Sequence, residues 1–176
     1  SKTTSNKLNE VPLIIMAGGK GTRLKPFTNF FPKALMPFSN VTAADFIINH
    51  FRKHGLKDII FSINYKKNLI KSYFGTQMNI DFIEEKKPLG TVGSLSLIKD
   101  KKFEDLIAIN CDSMVTANIS KLFEYHKNKK NDLTLTVTSQ KLTLPYGACF
   151  LDKKTQKFQS IIEKPSTNHL VNIGLY

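Results

Sequence analysis

The chain has 176 residues, 41% of them hydrophobic, which suits one domain with a proper core. Its formal net charge of +12, from 26 Lys and Arg against 14 Asp and Glu, favours polyanionic partners: nucleic acid, a membrane surface or small phosphates. No apolar run approaches the ~20 residues that span a bilayer, no apolar leader opens the chain, and Cys111 and Cys149 lack metal-ligand spacing, so the expectation is a cytoplasmic protein with free thiols.

Ser1 to Glu10 is polar and reads as a linker or tail, compatible with a preceding domain. Residues 11–176 then form the expected domain. Leu13 to Met16 is a short apolar run, read as a buried strand. It breaks into Gly18, Gly19 and Gly21, with Thr22 and Arg23 directly behind. Glycines after a strand leave backbone N–H groups open to an anion. Arg23 adds a planar charged fork that matches phosphate oxygens, and Lys33 follows between Pro32 and an ALMP run. The stretch reads as a triphosphate cradle with two cations aimed into it. It is neither a P-loop, because Lys20 stands between the glycines, nor the dinucleotide fingerprint, because Leu24 occupies the place of the third glycine.

Thr42 and Asp45 form a capping box before a helical run containing Phe46, Ile47, Ile48 and Phe51, which Gly55 closes. A strand is expected over Asp58 to Ile63. A helix follows over Lys67 to Phe74, with Leu69, Ile70, Tyr73 and Phe74 facing inward. A strand over Met78 to Glu84 leads into a second glycine-rich turn, EKKPLGTVG, and a helix over Thr91 to Lys99. Leu106 to Asn110 is a fully apolar strand ending in Asp112, and Asn118 caps the next helix. Asp132 to Thr138 alternates as a strand, Ala148 to Glu163 reads as a hairpin, and Leu170 to Tyr176 as one more strand. The strand–helix alternation predicts an α/β, Rossmann-like fold: a mainly parallel sheet with helices on both faces, plus an antiparallel hairpin near the C-terminus. Ligands of such sheets bind at the C-terminal strand ends, where both the cradle and Asp112 lie. The four histidines sit on helices or a loop and read as structural or surface groups.

The pattern GGxGTRLxPxTxxxPKxLxP, from Gly18 to Pro37, resembles the signature of the sugar-nucleotide pyrophosphorylases, which are sugar-1-phosphate nucleotidyltransferases. The PLGTVG turn, the Asp after the fourth strand, and the series Tyr146-Gly147, Glu163-Lys164-Pro165 and Asn172-Ile173-Gly174 extend the resemblance to Tyr176, in the family's order. It looks closest to the bacterial branch that makes GDP-sugars for surface polysaccharide or flagellar glycans, some members of which carry preceding CBS domains.

The resemblance implies a nucleotide-diphospho-sugar transferase fold (GT-A-like) and the reaction NTP plus sugar 1-phosphate giving NDP-sugar plus pyrophosphate. By it, Ala17, Gly18, Gly19, Gly21, Thr22, Glu85, Pro88, Gly90 and Thr91 bind the nucleotide. Arg23 holds the β- and γ-phosphates, Lys33 neutralises the α-phosphate region, and Asp112 holds Mg²⁺. Tyr146, Gly147, Glu163 and Asn172 meet the sugar, and Lys164 pairs with its phosphate. Family members tend to form dimers or tetramers.

Departures from the family pattern are Cys111 in place of a Gly, Ser39-Asn40-Val41-Thr42 in place of Gly-Asn-Lys-Pro, and a second metal-binding Asp expected beyond Tyr176, in a C-terminal part the chain does not include. Guanine and thymine lead as the base. Rival readings are a catalytically inactive nucleotide-sugar-binding regulator, a nucleic-acid-binding domain and a related transferase with another acceptor. The scattered lysines, without interleaved aromatics, speak against nucleic acid.

Overall fold

The computed structural model describes residues 8–87, 89–90, 93–98 and 103–176. The chain forms two compact units, one holding the residues up to Leu135 together with Gly174–Tyr176, the other Thr136–Ile173.

The first unit is built on four parallel strands: β1 (Leu13–Met16), β4 (Ile59–Ile63), β5 (Ile80–Glu84) and β6 (Ile107–Asn110), in the order β5-β4-β1-β6. Between β1 and β4 lie a minimal hairpin, β2 (Pro37–Phe38) and β3 (Val41–Thr42), and helix α1 (Ala43–Lys53). Helix α2 (Lys67–Phe74) joins β4 to β5, and α3 (Ile119–Lys129) follows β6. The chain therefore steps outward from β1 to β5, then crosses to the other side of β1 for β6. The break in strand order falls between β1 and β6, where open α/β sheets bind ligands.

Register gives this break its chemical content. Met16 pairs with Ser62 on one side and Asn110 on the other, and Ile63 pairs with Glu84. The residues that follow these positions, Ala17-Gly18, Cys111-Asp112 and Glu85, thus emerge along one edge of the sheet.

Alternation explains the core. Ile14, Ile60 and Ala108 share one face and pack with Ile98 of the 3-10 helix Gly93–Ile98. Phe61 points to the other face and stacks on Phe74 of α2, with ring centroids 4.8 Å apart. Both faces are buried, which is why β1, β4 and β6 read as continuous apolar runs. Each buried Ile or Phe contributes about 1.5–3 kcal/mol.

The capping box forms as expected: Thr42 Oγ1 accepts from the Asp45 N–H, and Asp45 accepts from the Thr42 N–H. Gly55 takes φ 100° just past the end of α1. His50 bonds the Ala117 carbonyl and His54 bonds Ser120 Oγ, so both tie α1 to the start of α3. Burial, then the neighbouring His50, lowers the His54 pKa. The Ser39-Asn40 departure becomes the two-residue turn of the β2–β3 hairpin, with Ser39 at φ 55°.

The second unit contains two antiparallel pairs: β7 (Val137–Thr143) with β10 (Ser166–Asn172), and β8 (Ala148–Leu151) with β9 (Phe158–Ile162). The expected hairpin is therefore present. None of the helices, among the described residues, is long and apolar enough to cross a membrane.

Five expectations need correction. The tail is not wholly a linker, because Leu8 is fully buried in the core. Leu69 and Tyr73 of α2 are exposed, and only Ile70 and Phe74 face inward, because the turn of α2 against the sheet covers a narrower stripe than the apolar run. Tyr73 instead donates to Asp45 Oδ2 at 2.8 Å, which raises its pKa. The strand expected over Asp132 to Thr138 starts at Val137, because its length is set by pairing with β10 over Val137–Thr143. The strand expected over Leu170 to Tyr176 is two things: β10 ends at Asn172, and Gly174–Tyr176 runs antiparallel beside β6 through the Ala108–Tyr176 and Asn110–Gly174 backbone bonds. The helix expected over Thr91 to Lys99 is a 3-10 helix over Gly93–Ile98; Thr91 and Lys99 lie outside the described residues.

Candidate functional site

The glycine-rich turn is held by a small set of buried contacts. Ala17 N–H donates to the Ser62 carbonyl, extending the ladder one step past β1. Gly21 lies at φ 64°, the left-handed region where a Cβ is strained. Its carbonyl accepts from Thr28 Oγ1 and from the Leu24 N–H, both at 2.9 Å. Thr28 is buried, and its own carbonyl accepts from Tyr65 Oη at 3.0 Å. The chain then advances in three short 3-10 turns, Thr22–Leu24, Phe27–Asn29 and Lys33–Leu35, which bring Lys33 back beside the glycines. A Cβ on Gly21 would stand 2.8 Å from Lys33 Cγ.

Lys33 Nζ donates to Asp112 Oδ2 at 2.6 Å. The residues are 79 positions apart, and both remain partly exposed. Next to Asp112, Cys111 is the residue that departs from the family pattern. Its side chain is packed away at 3% exposure, leaving Asp112 to face the cleft. Burial, reinforced by the Asp112 charge, pushes the Cys111 thiol up to about 12, so it is not a nucleophile at neutral pH. Behind this turn lies Gly174, at φ 75°, where a Cβ would stand 2.2 Å from the Asn110 side-chain nitrogen. The Gly of the Asn172-Ile173-Gly174 motif therefore lets the returning chain close on the strand that carries Asp112, a packing role the sequence reading assigned to sugar binding for the motif as a whole.

Glu85 is the third element. It is a buried carboxylate at 9% exposure. Oε1 accepts from Ser62 Oγ at 2.5 Å and Oε2 from the Leu89 N–H at 3.2 Å. Its carbonyl accepts from the Asn64 amide at 2.6 Å. Gly18 is what allows the carboxylate to sit here, since a Cβ at 18 would stand 2.8 Å from Oε1.

These groups line one cleft of about 830 Å³ at the switch point. Of the residues expected from sequence, Gly18, Gly19, Arg23, Lys33, Glu85, Gly90 and Asp112 are on its walls. Ala17, Gly21 and Thr22 shape the turn without lining the cleft. Pro88 and Thr91 lie outside the described residues. Arg23 is exposed on a 3-10 turn, and no hydrogen bond or ion pair joins it to another described residue. The sequence reading missed the apolar wall of Met16, Leu24, Met36, Phe38 and Met114, and also Ser62 and Thr28, which fix Glu85 and the turn. No local pattern marks Ser62; its pairing with Ile83, two residues before Glu85, brings its hydroxyl to the carboxylate.

In the second unit, Gly147 and Glu163 come together: a Cβ at 147 would stand 3.0 Å from Glu163 Oε2. Lys164 is exposed at φ 46°, and Tyr146 is largely exposed. Asn172 ends β10 opposite Val137.

The profile of the nucleotidyl transferase family matches residues 13–176. The chain belongs to the nucleotidyl transferase family. Within it, the chain is 29% identical over 174 residues to mannose-1-phosphate guanylyltransferase 1 of Arabidopsis thaliana, the match covering 93% of this chain and 48% of that protein. It is 33% identical over 138 residues to the D-glycero-alpha-D-manno-heptose 1-phosphate guanylyltransferase of Aneurinibacillus thermoaerophilus, covering 76% of this chain and 60% of the relative. The crystal structure of HddC from Yersinia pseudotuberculosis complexed with GMP-PN superposes with a TM-score of 0.67 at 26% identity, over 94% of this chain and 75% of that one. The chain spans about half the length of curated nucleotidyl transferase relatives such as the Arabidopsis enzyme.

Proposed function

We propose that the protein joins a nucleoside triphosphate to a sugar 1-phosphate, giving an NDP-sugar and pyrophosphate, with guanine as the base. One observation carries the reading: a glycine turn, Arg23, Lys33 and Asp112 converge in one cleft at the switch point of a parallel sheet. The guanylyltransferase relatives and the GMP-PN complex of HddC support guanine. Glu85 supports it chemically. A carboxylate accepts the adjacent N1–H and N2–H of guanine, a donor pair that uracil, thymine, cytosine and adenine lack. Each Glu85 oxygen keeps lone-pair capacity beyond its bond to Ser62 or Leu89.

In this reading a phosphate oxygen of the sugar 1-phosphate attacks the α-phosphorus. The bond from that phosphorus to the β-bridging oxygen breaks, and the electron pair leaves on pyrophosphate. The nucleophile is already an anion, so no general base is required, and the protein's task is positioning and charge stabilisation. Arg23 would hold the β- and γ-phosphates and Lys33 the α-phosphate. Lys164 would pair with the sugar phosphate, and Tyr146, Gly147, Glu163 and Asn172 would read its hydroxyls.

The site fits a hard divalent cation. Asp112 presents a cleft-facing carboxylate, one oxygen of which is held by Lys33. Mg²⁺ is commonly held in this way, by one or two carboxylates with phosphate oxygens and water. When bound to Asp112 it would supply charge neutralisation across the phosphate oxygens. Mg²⁺ as the cofactor, a cytoplasmic setting, a homo-oligomer and a further N-terminal domain belong to this proposal. A nucleic-acid partner does not.

The test is equilibrium binding of GTP, dTTP, UTP, CTP and ATP to the full-length protein. GTP is expected to bind tightest, and Arg23→Ala to weaken it at least tenfold. Equal affinity for all five, or an unaffected Arg23→Ala, contradicts the proposal.

A further inference from the structure

Lys33 and Asp112, assigned to the α-phosphate and to the divalent cation, are engaged with each other at 2.6 Å. We infer that Lys33 competes with the divalent cation for Asp112, so that triphosphate and metal each promote the binding of the other. This rests on the nucleotidyl-transfer reading of the cleft.

Three observations carry it. The ammonium sits on Oδ2, filling one oxygen and repelling a dication from the other. The only other carboxylate lining the cleft, among the described residues, is Glu85, which is bonded to Ser62 and to the Leu89 N–H, and Lys33 pairs with Asp112 rather than with it. Finally, Lys33 is not locked in place: its side chain passes beside Gly21 and retains 26% exposure. The head can turn from Asp112 to a phosphate about the outer bonds of the side chain. Coupling of this kind is reciprocal, and typical couplings are about 5–150-fold.

Mn²⁺, read by the loss of its free-ion electron paramagnetic resonance signal, is the probe. It is titrated into the full-length protein without nucleotide. Lys33→Met is expected to bind Mn²⁺ at least about tenfold tighter than wild type. Lys33→Gln, measured beside it, guards against a folding defect in one variant and should behave alike. Lys33→Arg keeps the charge and should retain the weak wild-type binding. The double variant Lys33→Met with Asp112→Asn should lose the gain. Unchanged or weaker Mn²⁺ binding in both neutral variants, including no detectable binding at all, overturns the inference. GTP binding to the wild type is measured in parallel. If GTP binds and the metal gain is missing, the competition alone falls. If GTP does not bind, the reading of the cleft falls with it.

Discussion

Gly18, Gly19 and Gly21 lie within four positions yet experience different surroundings, and alanine at each should report the difference. At Gly21 a Cβ would meet Thr28 Cγ2 at 2.7 Å and Lys33 Cγ at 2.8 Å, on a backbone at φ 64°. The left-handed conformation costs Ala about 1–2 kcal/mol. Lys33 can yield, but Thr28 is 1% exposed and bonded at both its hydroxyl and its carbonyl, so the overlap adds about 1–2 kcal/mol. The sum is about 2–4 kcal/mol. At about 2–4 °C per kcal/mol for a chain of this size, Tm should fall by about 5–15 °C. At Gly19 nothing lies within 4 Å of the added Cβ, so Gly19→Ala should stay within about 0.5 kcal/mol of wild type. Gly18→Ala should fall between, because its Cβ would displace the Glu85 carboxylate from Ser62, a charge-assisted bond contributing about 1.5–3 kcal/mol. Thermal unfolding followed by circular dichroism measures all three. Equal losses at positions 19 and 21, or a wild-type Tm for Gly21→Ala, would refute the reasoning.

Glu85→Gln should reduce GTP affinity by about 10–150-fold, since an amide turns a donor toward guanine where a charged acceptor stood. UTP and dTTP affinities should change little, and a parallel loss for every base would count against Glu85 as the guanine reader. Iodoacetamide at pH 8 should label Cys149, which is exposed, and spare Cys111, which is buried with its thiol raised to about 12. Peptide mass spectrometry distinguishes them, and labelling of Cys111 in the folded protein would contradict the packing described.

Much of the site was legible because it is written in local sequence. A strand of four apolar residues broken by glycines, an Asp at the end of a second apolar strand, and a Thr-Asp capping box each carry their cause within a few neighbouring residues. Features that depend on distant partners were hidden. Leu8 is a single apolar residue in a polar stretch, and only the core it enters reveals it. DLTLTVT alternates strictly and VTSQKLT does not, yet pairing with the partner strand β10 places the strand over the second. Ser62 looked like an ordinary strand residue until its pairing with Ile83, two residues before Glu85, set it beside that carboxylate. Gly174 read as part of a sugar motif, yet its positive φ and its contact with Asn110 give it a place in the sheet. The Lys33–Asp112 pair spans 79 residues, and no local pattern encodes it.

Pyrophosphate release by the full-length protein, supplied with Mg²⁺, GTP and in turn mannose, heptose and glucose 1-phosphates, tests the central claim most directly. Turnover is expected with at least one sugar 1-phosphate, and Arg23→Ala should lower kcat at least about a hundredfold, since it removes a cation from the leaving pyrophosphate. No release with any acceptor, or wild-type turnover in Arg23→Ala, would contradict the assignment of this cleft to nucleotidyl transfer.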